Sequence, residues 1–436
     1  MTLNYSSLLS RAPDPESATQ RFEHLIQDDG LRHNVEKLSA SDLAVFIHLI
    51  SVSHFLFRFL LRHPEAAALI PGAPAPEPER LGALTDLRLL RLYKYQELLK
   101  ITWTDLCGQQ DYRQVLHHLS QLAENVIGRC LQLVSVRDKY PSQQIAPVPF
   151  CVFAMGKLGA RELNYSSDVD LIFVCAGDDD LEQDAHACQE IVAEQIHRFT
   201  RAMEENTENG FLYRVDLKLR PWGRNGALVL SVDQTEHYYE ASTEAWERFA
   251  WLRARIIAGN HAIGTDLLER LQPFIYLRTL GSDDLQRFIE IKGQMARQRQ
   301  RQGSWNVKLG EGGIRDIEFF IQMLQAVNAS VQPRLKTTNT LEALQALIQY
   351  GFVPPEDGRM IHDSYLFLRR LENHLQMMDE QQTHQLPDQY AQRLMVASSL
   401  GFGPGNEPRT VDEFDRALER HRKIALSCFE RILPST

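Results

Sequence analysis

The chain has 436 residues, 44% of them hydrophobic, and a formal charge of −10. That length carries two to four domains with cores of their own, which excludes a single small module. The acidic balance repels a phosphate backbone, so nucleic acid is not an expected partner and a protein or small-molecule substrate fits better.

In chain order, the opening MTLNYSSLLSRAPDPE has no basic region followed by an apolar one, so no secretory leader is expected. Leu43 to Leu61 is the most apolar stretch. It contains His48, Ser51, His54 and Arg58 and stops at His63-Pro64, which predicts a core helix and no membrane span. A second helix is predicted over Leu87–Leu99, beyond a proline-rich linker at 71–78. Residues 1–125 therefore read as an N-terminal helical region. From Pro147 the texture changes to strand-like runs at 149–155, 168–176, 213–219 and 227–231, with a helical segment near 182–205. Ser231 and Gln234 have the spacing of a capping box. This places a compact mixed domain at 126–274, and the helical pattern after it predicts a C-terminal helical bundle at 275–436. The fold class is α+β, mostly helical, with a small mixed sheet. Six cysteines without a CxxC pair suit a reducing cytoplasm.

Two of the strand-like runs carry acids. Side chains alternate across a strand, so Asp168 and Asp170 in SSDVDLIFV share one face. Adjacent carboxylates repel unless something positive lies between them, and a hard divalent cation is the usual remedy. A lone DxD is also a common solvated strand end. The run Arg214-Val-Asp-Leu-Lys-Leu-Arg220 adds to it, with Val215, Leu217 and Leu219 on one face and Arg214, Asp216, Lys218 and Arg220 on the other. That polar face is either plain solvent exposure or a third metal ligand beside phosphate-binding cations. Upstream, CVFAM runs into Gly156-Lys-Leu-Gly159 and then a short helical RELN. Glycines there let backbone N–H groups approach phosphate oxygens, although such a turn is common.

A glycine-containing turn, a DxD separated from Lys157 by ten residues and a third acid on a following strand resemble the polymerase-β-like nucleotidyltransferase superfamily. The turn departs from the pattern in having Gly-Lys where many members have Gly-Ser or Gly-Gly, which makes a phosphate partner other than a triphosphate plausible. The longer strings GKLGARELNYSSDVDLIFV, RVDLKLRPWGRNGALVLS and KLGEGGIRDIEFFIQ resemble the family of bifunctional glutamine synthetase adenylyltransferase/adenylyl-removing enzymes. With one DxD constellation and a helical lead before it, the chain is similar to the N-terminal, adenylyl-removing half.

The resemblance implies phosphorolytic removal of AMP from a glutamine synthetase tyrosine by inorganic phosphate, with release of ADP. It implies Mg²⁺, as two ions, held by Asp168, Asp170 and Asp216. Phosphate or nucleotide would be held by Gly156, Lys157, Gly159, Ser167, Lys218, Arg220 and Arg224. Implied partners are adenylylated glutamine synthetase, the uridylylated PII signalling protein and the missing C-terminal adenylyltransferase half. Adenylyl transfer from ATP, or a non-catalytic docking module, are the competing readings.

Three other features are weighed. Gly310–Glu318 opens a helix whose Ile314, Ile317, Ile321 and Leu324 are core, while Arg315, Glu318 and Gln322 share a face expected to look into the active cleft. WERFAWLRARIIAG (246–259) is read as a helix with Arg248, Arg253 and Arg255 at a surface or interface. His362-Asp363 suggests a hydrolytic metal dyad, but Ile361, Tyr365, Leu368 and Leu375 make its helix a packing element. His117-His118 and the pair His48 and His54 lack ligand partners and read as surface or core residues.

Overall fold

The computed structural model describes residues 5–72, 78–108, 110–135, 148–177, 185–241, 245–276, 304–403 and 408–430. The fold is α+β and mostly helical, with one small sheet. Most of the proline-rich linker and residues 277–303 lie outside the described residues.

The sheet is built around β2 (Val169–Cys175). It pairs antiparallel with β1 (Phe150–Ala154), which pairs antiparallel with β5 (Arg255–Gly259). On the other side β2 pairs in parallel with β3 (Val215–Asp216) at its start and with β4 (Val229–Ser231) at its end. The central strands β1 and β2 are buried on both faces, and side-chain alternation divides them. Val152, Ala154, Val169, Leu171 and Phe173 join a core shared with the N-terminal helices. Cys151, Phe153, Ile172 and Val174 pack instead with Phe249, Leu267 and Phe319. A third core fills the C-terminal bundle, from Val307 to Cys428.

Four local expectations change. The apolar run at 43–61 is two helices, Ala40–Val52 and His54–Arg62, bent by 108° at Ser53. Ser53 is buried and donates to the carbonyl of Met377 at 3.0 Å, so the break is anchored. No single helix among the described residues is long and apolar enough to cross a membrane. The bent pair would be so only jointly, and Leu43, Phe46, Leu49, Ile50, Leu56 and Leu60 are packed in the core.

The alternating run 213–219 forms only a two-residue strand, because the chain turns at Lys218 to follow the carboxylate of Asp216. RELN (161–164) is not helical, since Arg161 adopts φ 59° and buried Glu162 and Asn164 bond to the bundle. WERFAWLRARIIAG is a helix, Ala245–Trp251, followed by β5, and the β-branched pair Ile256-Ile257 is the signal for that strand. The capping box is present: Gln234 N–H donates to Ser231 Oγ, and Ser231 N–H donates to Gln234 Oε1.

Candidate active site

The acids gather where β2 and β3 begin. Asp170 lies directly opposite Asp216 in the parallel register, so their side chains leave the sheet on one face. Asp168 precedes β2 by one residue, and the neighbouring Val169 N–H donates to the carbonyl of Arg214 at 2.9 Å. Burial, then the charge of Asp216, push the Asp170 carboxyl up to about 6, with Lys308 and Lys157 opposing the rise and Asp168 adding to it.

The flanking acids are already engaged. Arg214 donates from Nε to Asp168 Oδ1 at 2.6 Å and from Nη2 to the carbonyl of Ser166 at 2.7 Å. Lys218 donates its N–H to Asp216 Oδ1 at 2.8 Å and its ammonium to Oδ2. Among the described residues no three His, Cys, Asp or Glu side chains converge closely enough to enclose a metal ion in this conformation.

The turn after β1 is a single helical turn, Gly156–Gly159. Gly156 has φ 55°, and a Cβ there would lie 2.8 Å from Asp170 Oδ2. Glycine is required on both counts. Gly159 has a packing role, because a Cβ would lie 1.8 Å from the carbonyl oxygen of Arg253. Lys157 turns away from the acids, donating from Nζ to both oxygens of Glu372 at 2.7 Å, and burial pushes its ammonium down to about 7. Ser167 is buried beside Asp168. Arg220 spends its guanidinium on the carbonyls of Leu217, Arg224, Gly226 and Ala227. Arg224 is exposed. Of the expected basic groups, then, Lys218 stands at the acids, Lys157 and Arg220 are committed elsewhere, and Arg224 faces solvent.

Behind this site lies a buried ionic seam that sequence reasoning missed. Arg369, on the helix Pro355–Met377, donates to Glu162 Oε2 at 3.2 Å and Asn164 Oδ1 at 2.7 Å. Tyr365 and Thr340 also donate to Glu162. Burial raises the carboxyl of Glu372, but Lys157, His384 and Arg369 outweigh it and hold that carboxyl well below the usual range. Glu318 is not cleft-facing, because it is buried against Arg253 at 3.2 Å, while Arg315 is exposed. Arg255 pairs with Glu124, so both arginines are interface groups. The available signal was Arg369 and Glu372 falling on the Ile361/Tyr365/Leu368 stripe, where apolar residues belong. Lys308 was also missed, although KLGEGG was noted. It precedes the helix Ile314–Asn328 and brings positive charge near Asp170.

A small mixed sheet with three aspartates at one end, set within a mostly helical chain, is the arrangement of a nucleotidyltransferase. The family model for glutamate-ammonia ligase adenylyltransferase matches residues 46–270, a little over half of the chain, and that for GlnD PII-uridylyltransferase matches residues 287–433. The chain is 36% identical over 376 residues to the bifunctional glutamine synthetase adenylyltransferase/adenylyl-removing enzyme of Thioalkalivibrio sulfidiphilus, covering 84% of this chain and 38% of that protein. The same enzyme of Stenotrophomonas maltophilia is 36% identical over 86% of this chain and 42% of its own length, and that of Hahella chejuensis 35% identical over 82% and 40%. The chain belongs to the glutamate-ammonia ligase adenylyltransferase family. It spans about two fifths of the length of these relatives.

Proposed function

We propose that this chain removes AMP from an adenylylated glutamine synthetase tyrosine by phosphorolysis, with inorganic phosphate as acceptor and ADP as product. The observation that carries the transfer chemistry is the half-buried Asp170 carboxyl, raised by its burial and by Asp216 and Asp168 beside it, with Arg214 and Lys218 resting on those two acids as displaceable cations. The donor set fits Mg²⁺: hard carboxylate oxygens on one face of two adjacent strands, with the close approach of Gly156 restricting the pocket around Asp170. Asp168, Asp170 and Asp216 would hold it once Arg214 and Lys218 swing off the flanking pair. When bound, it would offset charge on the phosphoryl oxygens and the departing phenolate.

The chain's own groups supply the rest. Lys218, exposed at the edge of the acids, and Arg224 hold phosphate. Arg214, tied to the carbonyl and hydroxyl of Ser166, holds Asp168 in place until the ion enters. A phosphate oxygen attacks the AMP phosphorus as the bond to the tyrosine oxygen breaks. The electron pair leaves on that oxygen, which then takes up a proton. A phenol with pKa near 10 is a tolerable leaving group, so no dedicated base is needed.

Removal is favoured over addition from ATP by the state of Lys157. The cation in the glycine turn is bound to Glu372 and is not free to hold a triphosphate. The longer strings' resemblance to the adenylyl-removing half supports the same direction. Control by uridylylated PII and a cytoplasmic setting are read from the family resemblance, the first with support from the match to the GlnD PII-uridylyltransferase model, and cooperation with an adenylyltransferase half is read from the relatives' composite names. The test is an assay of the purified chain on adenylylated glutamine synthetase. ADP release that requires both phosphate and Mg²⁺ supports removal, and incorporation of label from ATP replaces it with addition.

A further inference from the structure

Six residues past Asp216 stands a tryptophan in a conformation that bulky side chains rarely adopt. Trp222 has φ 57° and ψ 12°, in the left-handed region, and Gly223 follows at φ 58°. Its side chain is 56% exposed, more than any other aromatic among the described residues. Neither core burial nor backbone preference accounts for it, and strain of this kind collects where function requires it.

The loop holding the ring is tightly built. Besides the four carbonyls gathered by Arg220, a Cβ at Gly226 would lie 2.0 Å from the carbonyl oxygen of Pro221, so the loop closes on itself. The indole rests at 4.6 Å between centroids and 62° on Tyr238, whose hydroxyl donates to Glu247 at 2.8 Å. The loop also folds back on the acid site. A Cβ on Gly223 would lie 3.5 Å from the carbonyl oxygen of Lys218, and Lys218 is bonded to Asp216 through both its N–H and its ammonium. A pinned, open aromatic surface therefore stands next to the residue that links the loop to the third carboxylate, with exposed Arg224 on the same turn.

We propose that Trp222 is the stacking platform for the purine base of the nucleotidyl group handled at Asp168, Asp170 and Asp216; this rests on the nucleotidyl-transfer reading of that site. Cations at the phosphate and an aromatic surface one loop away match the layout of a nucleotide. The carbonyls of Leu217, Arg224, Gly226 and Ala227 are drawn to Arg220 and the ring is the broad open surface of the loop, so stacking area is what selects the base. Purines are then held better than pyrimidines, with little distinction between adenine and guanine.

The test uses Trp222→Asn, since asparagine tolerates the left-handed backbone and keeps the turn, and Trp222→Phe, which keeps a ring. Binding of ADP, GDP, CDP and inorganic phosphate is measured by calorimetry in Mg²⁺. The expected result is ADP and GDP binding weakened on the order of tenfold or more in Trp222→Asn, largely restored in Trp222→Phe, and phosphate binding unchanged. Normal ADP binding by Trp222→Asn overturns the platform, and if the same variant binds adenylylated glutamine synthetase more weakly, the ring is a protein contact. A wild-type chain that stacks ADP yet releases none from the adenylylated protein keeps the platform and sinks AMP removal. A wild-type chain that binds no nucleotide sinks both.

Discussion

Two charge clusters lie back to back in this molecule, joined through Gly156-Lys157, and they are built on opposite rules. In the seam, Glu162, Glu318 and Glu372 meet Arg369, Arg253 and Lys157, each acid facing a base from a distant part of the chain. Glu318 is held at about 2 because Arg253, then Arg369, overcome its burial. At the sheet end, Asp170 faces other acids and is pushed up to about 6. Burial is common to both, so burial does not separate a structural cluster from a functional one. The sign and hold of the neighbours do: the seam is closed by buried opposite charges, whereas at the sheet end Asp170 is raised by burial and by the acids beside it, and those acids are held by the partly exposed Arg214 and Lys218, which a divalent cation can displace.

The largest expected effect tests the open cluster. Asp170→Asn should lower turnover by at least about a thousandfold, since several kcal/mol of transition-state stabilisation go with a metal ligand. Its thermal midpoint should hold or rise, because a half-buried carboxylate repelled by its neighbours is removed. A marked fall in midpoint would mean that Asp170 belongs with the seam. Next comes Glu162→Gln, which leaves Arg369 buried without its carboxylate at that position. A loss of about 3–5 kcal/mol in urea unfolding is expected, with turnover of the folded fraction nearly unchanged. If activity falls while stability holds, the two clusters are not distinct.

The same contrast explains what could be read in advance. The helical and mixed regions, the strands around Asp168 and Asp170 and the Ser231 cap were legible because each rests on local periodicity or spacing. The aspartates stood out for the same reason, Asp168 and Asp170 two positions apart where one strand begins and Asp216 within an alternating run. The seam was not legible. Glu162 and Arg369 are 207 residues apart, and only tertiary packing brings them together. The destinations of Lys157 and Arg220 were hidden likewise. A cation beside glycines reads as a phosphate ligand until Glu372 appears across the fold, and Arg220 binds carbonyls that exist only once the loop has closed.

Asp105 sharpens the rule by isolating burial from like charge. Burial pushes its carboxyl up to about 6, opposed by Arg370 and by the Tyr165 hydroxyl that donates to it at 3.0 Å. It matches Asp170 in shift but has no acid partner contributing to it. A carboxyl whose folded pKa lies above its unfolded value is fully favourable below the unfolded pKa and loses that contribution as pH rises through the folded one. Relative to Asp105→Asn, the wild-type chain should therefore lose stability between pH 4 and 7, by up to about 3 kcal/mol. Parallel pH curves for the two proteins would show that Asp105 is solvated.

The smallest effect concerns the edge where the open cluster meets solvent. Lys218 and Asp216 form a short contact, and by distance alone it resembles the pairs of the seam. Lys218 is 51% exposed, however, and an exposed pair contributes roughly 0–1 kcal/mol. Lys218→Ala should leave the unfolding midpoint within error. Its effect should fall on phosphate, because the ammonium that rests on Asp216 is the nearest mobile cation to the acids. One lost charge-assisted hydrogen bond corresponds to roughly a tenfold rise in KM for phosphate, with a smaller change in kcat. High salt should narrow the gap between the two proteins by screening the exposed charge. An unfolding midpoint that drops by several degrees while KM for phosphate stays put would make Lys218 a strut for β3, and would return phosphate binding to Arg224 or to Lys308.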